Sequence, residues 1–246
     1  MTENKSVTIR SIVYDTVSLK PGSVIYEFFQ DDYSTKDERV NSILERELVK
    51  FLFDPFYRFY EYLIYEELGI SNSYIPFYEK SQPIIENANE KPGDIDLILV
   101  DKSQVGNSLG FQVKRFKGFI DADGINKVKF SNIEEGIIQV NKMFEKYKFY
   151  KNYLMLIVAN DGMNNTKDSF LFRQVKGPEI KPLYSMSTYE NLKEGIGLFI
   201  VEITQPTGKG IRKTGKIATK LLRDSKLNMQ SKKMTNKIKL LVDATH

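Results

Sequence analysis

The 246-residue sequence predicts an α/β fold in which helices flank a mixed central β-sheet. Runs with apolar residues every three or four positions, typical of helices, alternate along the chain with short strand-like runs. Their order is helix, helix, β-hairpin, helix, strand, short helix and strand. The composition, with 41% hydrophobic and 28% charged residues, is that of a globular protein and excludes wholesale disorder.

The first part of the chain is predicted to form short strands followed by two helices. Runs rich in β-branched residues occur at 7–9 and 24–26. Apolar residues at helical spacing predict a helix from about residue 35, which Pro55 interrupts. A second amphipathic run follows, and Gly69 is its expected end.

The middle of the chain carries the strongest strand signals. One strand is expected at 74–78, and residues 95–100 and 109–116 predict two more. The short segment between the last two contains Gly106 and Asn107, which favours a β-hairpin. Apolar residues at helical spacing then predict a helix over 132–150.

The remainder predicts a buried strand at 153–159, a short helix near 189–195 and a second strand at 197–203. We therefore expect one α/β domain over residues 1–206 and a basic C-terminal tail over 207–246. Within that tail, three apolar residues are consistent with a short amphipathic helix: Ile217, Leu221 and Leu222.

Charge is unevenly distributed along the chain. From Thr207 to His246 there are 11 lysines and arginines against 2 acidic residues, a net charge of +9. The rest of the chain holds 25 basic and 30 acidic residues, a net charge of −5. An acidic body with a basic end indicates a polyanionic partner, most simply nucleic acid, although a solvated tail without a partner has the same composition.

Several classes of chemistry are excluded by composition. The chain has no cysteine, and its one histidine is His246, so thiol nucleophiles, cysteine zinc sites and Ser-His-Asp triads are not expected. A bound metal would have oxygen ligands, which suits Mg²⁺ or Mn²⁺. The sequence shows neither an apolar signal segment nor a membrane-spanning run, so we expect a cytoplasmic protein without a membrane partner.

Three polar residues in the predicted hairpin form the main chemical motif. Gln112 and Lys114 alternate to the same face of one strand, and the hairpin brings Asp96 opposite them. A carboxylate that binds a divalent cation, with a lysine beside it, suits phosphodiester hydrolysis. Alternatively, the three residues have no chemical role: Gln112 and Lys114 would lie on the solvent-exposed face of an edge strand, and Asp96 would lie in a turn.

Asp96 followed by Gln112-Val113-Lys114 resembles the signature of the PD-(D/E)XK nuclease superfamily. The glutamine in place of the usual acid is similar to the Mrr-type restriction enzymes. The resemblance implies a restriction-endonuclease-like core and a metal bound by Asp96, the Gln112 side chain and the Val113 carbonyl. Asp96, Gln112 and Lys114 would then be the catalytic residues.

The resemblance also implies a further metal-binding carboxylate from the preceding helix. We slightly prefer Glu47 because it lies on an apolar stripe, and Glu61 is the alternative. Gln139 resembles a helix glutamine of some branches, and Asp94 would support Asp96.

Basic residues near the motif and in the tail could contact nucleic-acid phosphates. The expected phosphate contacts are Arg115, Lys117, Lys209, Arg212, Lys213 and Lys216.

Three functions follow from these patterns. The first is a Mg²⁺- or Mn²⁺-dependent endonuclease or exonuclease that cuts DNA, in restriction, defence or a mobile element. The second is a non-catalytic nucleic-acid-binding protein that keeps the nuclease fold, and the third is an interaction protein in which the motif is coincidental. A homodimer is compatible with each of them.

Overall fold

The structure is a computed structural model in which ten stretches of the chain are described. They are residues 5–8, 45–53, 64–71, 73–78, 95–116, 118–120, 126–128, 131–159, 181–204 and 216–244.

Strands and helices alternate along these stretches, as the α/β prediction requires. The strands are β1 (Lys5–Thr8), β2 (Tyr74–Tyr78), β3 (Leu97–Asp101), β4 (Leu109–Phe116), β5 (Gly118–Ile120), β6 (Asn126–Val128), β7 (Lys151–Ala159), β8 (Ile196–Thr204) and β9 (Lys216–Arg223). The helices are α1 (Glu45–Phe53), α2 (Tyr65–Leu68), α3 (Ser131–Tyr147) and α4 (Lys232–Asp243), with 3-10 turns at Val105–Asn107, Lys181–Tyr184 and Met186–Tyr189.

Seven of the strands form one mixed sheet in the order β1-β9-β8-β7-β4-β3-β2. The central strands β4, β7 and β8 are parallel, and the outer pairs are antiparallel. β5 and β6 form a separate two-stranded sheet. The mixed α/β architecture predicted from the sequence is therefore confirmed.

Helices cover both faces of this sheet because the central strands are apolar on both sides. On one face, Leu48 and Leu52 of α1 and Leu68 of α2 pack against strand residues such as Phe111 and Tyr153. We call this the α1 face. The opposite face, here the α3 face, is covered by α3 and α4, whose apolar residues join those of β2, β3, β7 and β8.

Several predicted elements are confirmed by the described residues. β3 and β4 form the expected antiparallel hairpin, with a 3-10 turn at the predicted connection. Gly69 ends α2 with a left-handed backbone (φ 65°), a conformation that glycine adopts without strain. The run around 24–26 and residue Pro55 lie outside the described residues.

The prediction of a short helix at 189–195 is wrong. Two 3-10 turns precede Glu190 instead, and residues 190–195 are turns and irregular backbone that lead into β8. Their backbone groups are held by local bonds, such as Leu192 N–H to the Tyr189 carbonyl at 2.9 Å. Apolar residues at helical spacing were too few here to distinguish a helix from successive tight turns.

Residues 216–244 belong to the folded domain and do not form a tail, because they include a strand of the sheet and a helix packed against it. β9 lies between β1 and β8, so the predicted amphipathic helix around Leu221 is a strand. Leu221 packs on the α1 face and Leu222 on the α3 face, as alternation along a strand requires. After β9, α4 buries Met234, Ile238 and Leu241, and the sequence reading missed this helix.

A polar cluster around Asp224, an exposed residue directly after β9, joins this end of β9 to β7. The fully buried Tyr153 donates its hydroxyl to Asp224 Oδ1 (2.6 Å), and Lys151 Nζ lies 3.0 Å from Asp224 Oδ2. Partial burial opposes ionisation of Asp224, but the bonds from Tyr153 and Lys151 prevail and lower its pKa below the ordinary value of 3.8. The cluster therefore stabilises the fold through an ionised carboxylate.

We expect Tyr153→Phe to lower the free energy of unfolding at neutral pH by about 1–2 kcal/mol, because a hydrogen bond to a charged group is lost. The stabilisation by ionised Asp224 is complete above pH 3.8 and is lost as the pH falls through the lowered pKa of the folded protein. Urea unfolding at neutral pH and near pH 3 measures both effects. Equal stabilities of the two proteins at neutral pH would contradict the assignment.

Candidate functional site

The edge of β4 is open to side chains where the hairpin ends. The last pair between β3 and β4 joins Leu97 and Phe111, but β4 continues to Phe116. Past this pair, Asp96 lies opposite the continuing strand and its Oδ2 accepts the Val113 N–H (2.6 Å) and the Gln112 Nε2–H. The structure thus brings two of the three predicted motif residues, Asp96 and Gln112, into direct contact.

A second carboxylate lies on the same edge of β4. Glu45, the first residue of α1, accepts the Arg115 N–H through its Oε2. Since Val113 and Arg115 are two residues apart, their amides are separated by about 7 Å along the strand and point to the same side. Asp96 and Glu45 are therefore neighbours along one open edge, although they are 51 positions apart in the sequence.

Burial raises the pKa of Glu45 above its ordinary value of 4.5. The Arg115 N–H and the positive charge of Lys114 act in the opposite direction, and the nearby charge of Glu135 adds to the increase. This carboxylate thus lies in an environment where its negative charge is incompletely compensated, and a nearby cation would stabilise its ionised form.

Lys114 lies between β4 and α3. A Cβ atom added to Gly136 of α3 would come within 2.7 Å of the Lys114 Cγ, so the helix backbone passes directly over the lysine side chain. One helical position before this glycine, Glu135 accepts a hydrogen bond from Gln139 Nε2 (3.1 Å). Gln139 is thereby linked to the site through Glu135, whose charge reaches Glu45.

The oxygens at this edge form a donor set that suits Mg²⁺ or Mn²⁺. Asp96 and Glu45 supply carboxylates, and Gln112 supplies an amide oxygen when its side-chain plane is turned over. The Val113 carbonyl faces the same edge as its N–H, since both groups of a strand residue point to one side. Among the described residues, no cluster of three or more Asp, Glu, His or Cys side chains could hold a metal, so a cation at this edge would need amide oxygens as further ligands.

Arg115, a predicted phosphate contact, does not lie on the surface. Its side chain is buried, with 4% exposure, on the α1 face near Glu45. Alternation along β4 explains this position, because Lys114 and Arg115 must point to opposite faces. The sequence analysis places Arg115 among the nucleic-acid contacts because it directly follows the Gln112-Val113-Lys114 motif.

The other predicted site residues are not described in the structure. Lys216 begins β9, but its side chain, like that of Glu47 in α1, lies outside the described residues. The same holds for the whole of Glu61, Asp94, Lys117, Lys209, Arg212 and Lys213.

We expect Glu45→Gln to raise the free energy of unfolding at neutral pH, because the substitution removes a carboxylate whose ionisation is opposed by burial. The folded-state pKa of Glu45 is raised, so its ionisation opposes folding as the pH rises above 4.5. The stability difference between variant and wild type should therefore disappear below that pH. Thermal melts of the two proteins across this pH range test the prediction, and a variant less stable than wild type at neutral pH would contradict it.

Comparison with known proteins does not assign a family to this chain. No protein-family model, curated protein or solved structure matches it. Within the described residues, no helix has the length and apolar character needed to cross a bilayer. The function is therefore inferred from the geometry of the site.

Proposed function

We propose that the protein is a Mg²⁺- or Mn²⁺-dependent nuclease with a restriction-endonuclease-like core that hydrolyses phosphodiester bonds of DNA. The observation that carries this proposal is the convergence of Asp96 and Glu45, from different elements, on the open edge of β4. Gln112 and Lys114 stand on the same strand segment, so acidic, amide and cationic groups meet at one place.

The proposed roles follow from the positions of the groups. Asp96, Glu45, Gln112 and the Val113 carbonyl would hold the cation. When bound, a divalent cation lowers the pKa of water and stabilises charge that develops on a phosphate.

Lys114 would orient the attacking water and offset negative charge on the phosphate in the transition state. Its stem is restricted by the backbone of α3 at Gly136, which fixes the direction of the ammonium group.

DNA is the proposed substrate because the C-terminal part of the chain is strongly basic. The test is incubation of the protein with supercoiled plasmid, linear duplex, single-stranded DNA and RNA, each with Mg²⁺, Mn²⁺ or EDTA. We expect cleavage of DNA with either cation and none in EDTA. If the protein cleaves only RNA, DNA is the wrong substrate but the proposed site is retained. If it cleaves none of these polymers, the proposed nuclease function is refuted.

A nucleic-acid-binding protein without catalysis is the second candidate, and one observation favours it. The Gln112 Nε2 group donates to the same Asp96 oxygen as the Val113 N–H, so an amide donor stands where a cation would bind. The usual acid at this position would supply a charge that Gln112 lacks.

Gln112→Glu distinguishes the two candidates. It replaces a hydrogen bond by repulsion between carboxylates, so in EDTA we expect a loss of about 2 kcal/mol in stability. If Asp96 and residue 112 share a cation, Mg²⁺ should restore that stability and tighten the cation dependence of cleavage. Gln112→Met, which removes the donor without adding charge, is the control. A loss of stability that Mg²⁺ does not reverse would favour the non-catalytic candidate.

A further inference from the structure

Helix α4 carries four lysines, spread around the half of its surface that does not face the core. Met234, Ile238 and Leu241 face the core. Lys232, Lys233 and Lys239 are exposed and Lys237 is partly exposed, and we call these four residues the lysine face. The single acidic residue of the helix is Asp243, at its C-terminal end.

The charged residues of α4 lie at positions where they destabilise the helix. Anionic side chains near the N-terminus and cationic ones near the C-terminus stabilise a helix. In α4, Lys232 and Lys233 lie in the first turn, which holds no acid, and the last turn holds no basic residue. Ser231 caps this N-terminus by accepting the Met234 N–H at 3.2 Å. The placement of the lysines is thus unfavourable within the helix but suits an anion that approaches it.

The lysine face is on the same side of the sheet as Lys114. The buried residues of α4 join the apolar cluster of Phe77 and Ile98 on the α3 face. Lys114 emerges from β4 on that face, under Gly136 of α3. A polymer that crosses this side of the molecule can therefore meet the proposed site and α4 together.

A polynucleotide fits this surface better than a membrane does. The apolar side of α4 is already buried in the fold, and Leu240, 60% exposed, is the large apolar residue that the helix leaves in solvent. A membrane-surface helix needs a free apolar face to enter the bilayer. In contrast, α4 is about 18 Å long, and a duplex presents about ten phosphates over that length.

We propose that the lysine face of α4 binds the phosphate backbone of the nucleic acid on which the site acts, an inference that rests on the proposed function. Replacing Lys232, Lys233, Lys237 and Lys239 by Gln tests it. The matched control replaces Lys50, Lys148, Lys181 and Lys193, four exposed lysines outside α3 and α4, and lowers the net charge by the same amount. Binding of a labelled duplex is measured in EDTA over a range of salt, so that it does not depend on cleavage.

For the α4 variant we expect a Kd weaker by about tenfold or more near 0.1 M salt, and a log–log salt slope shallower by up to about 3.6. The control should stay close to wild type. Equal losses in both variants, or no binding by wild type, would overturn the proposal. If the fourfold variant does not fold, the pair Lys232→Gln and Lys239→Gln should reduce the slope by about half as much.

Vesicles with and without an anionic phospholipid form the last arm. The proposal would be overturned if wild type binds the anionic vesicles, the α4 variant does not, and both bind the duplex equally well. The lysine face would then be a membrane-binding surface. A different result would refute the proposed function, namely the absence of Mg²⁺-dependent cleavage. The binding measured in EDTA does not depend on that result.

Discussion

Asp96→Asn and Lys114→Met should each lower the rate of DNA cleavage about 10²–10³-fold while the protein stays folded. Asparagine keeps an oxygen that can accept the Val113 N–H, and methionine keeps the alkyl stem that packs under Gly136. The two variants should differ in their response to cation. Asp96→Asn should need more Mg²⁺, whereas Lys114→Met should keep the Mg²⁺ midpoint and lose only the maximal rate, because the lysine acts on the phosphate and the water.

Single-turnover cleavage measured against Mg²⁺ concentration separates these effects. Asp243→Asn and Lys142→Met are suitable controls because both side chains are exposed and lie on helices. Wild-type rates and midpoints in both test variants, with unchanged melting temperatures, would contradict the proposed catalytic roles of Asp96 and Lys114.

Removal of residues 212–246 should prevent cooperative folding. The deletion takes away β9, which pairs with β8 over most of its length and also holds β1. It also removes α4, whose Met234, Ile238 and Leu241 are buried. Burial of three such side chains contributes about 5–9 kcal/mol, which is comparable to the whole stability of a typical domain, about 5–15 kcal/mol.

Thermal melts followed by near-ultraviolet circular dichroism test this prediction. A second truncation after Arg223 keeps β9 and removes α4, and it should be intermediate between wild type and the longer deletion. A deletion of 212–246 that melts cooperatively at the wild-type temperature would show that the segment is an appendage, as its composition alone predicts.

Local signals in the sequence predicted most of the sheet. The apolar runs of β7 and β8 and the hairpin of β3 and β4 are continuous and bounded by turn residues, so pattern and structure agree. The sequence predicts a helix where β9 lies, because charged residues hide the alternation of apolar and polar side chains that is typical of a strand. In addition, its partner strands β1 and β8 are distant in sequence. Pairing with non-local strands decided its conformation.

The contact between Asp96 and Gln112 could be predicted because both residues belong to one hairpin, whose register follows from its turn. Glu45 could not be predicted in the same way. Glu45 and Glu47 stand on one helix two positions apart, and which of them meets β4 depends on how α1 docks. Docking is set by the packing of Leu48 and Leu52 against the sheet, which a single sequence does not reveal.

The most direct test of the proposed nuclease site is the cleavage of supercoiled plasmid as a function of Mg²⁺ concentration, with wild type and Asp96→Asn measured side by side. The site predicts that wild-type cleavage rises to saturation with Mg²⁺ and is absent in EDTA, while Asp96→Asn is slower by about 10²-fold or more at every concentration. Cleavage by wild type in EDTA, or equal rates and equal Mg²⁺ midpoints for the two proteins, would contradict a cation site built on Asp96.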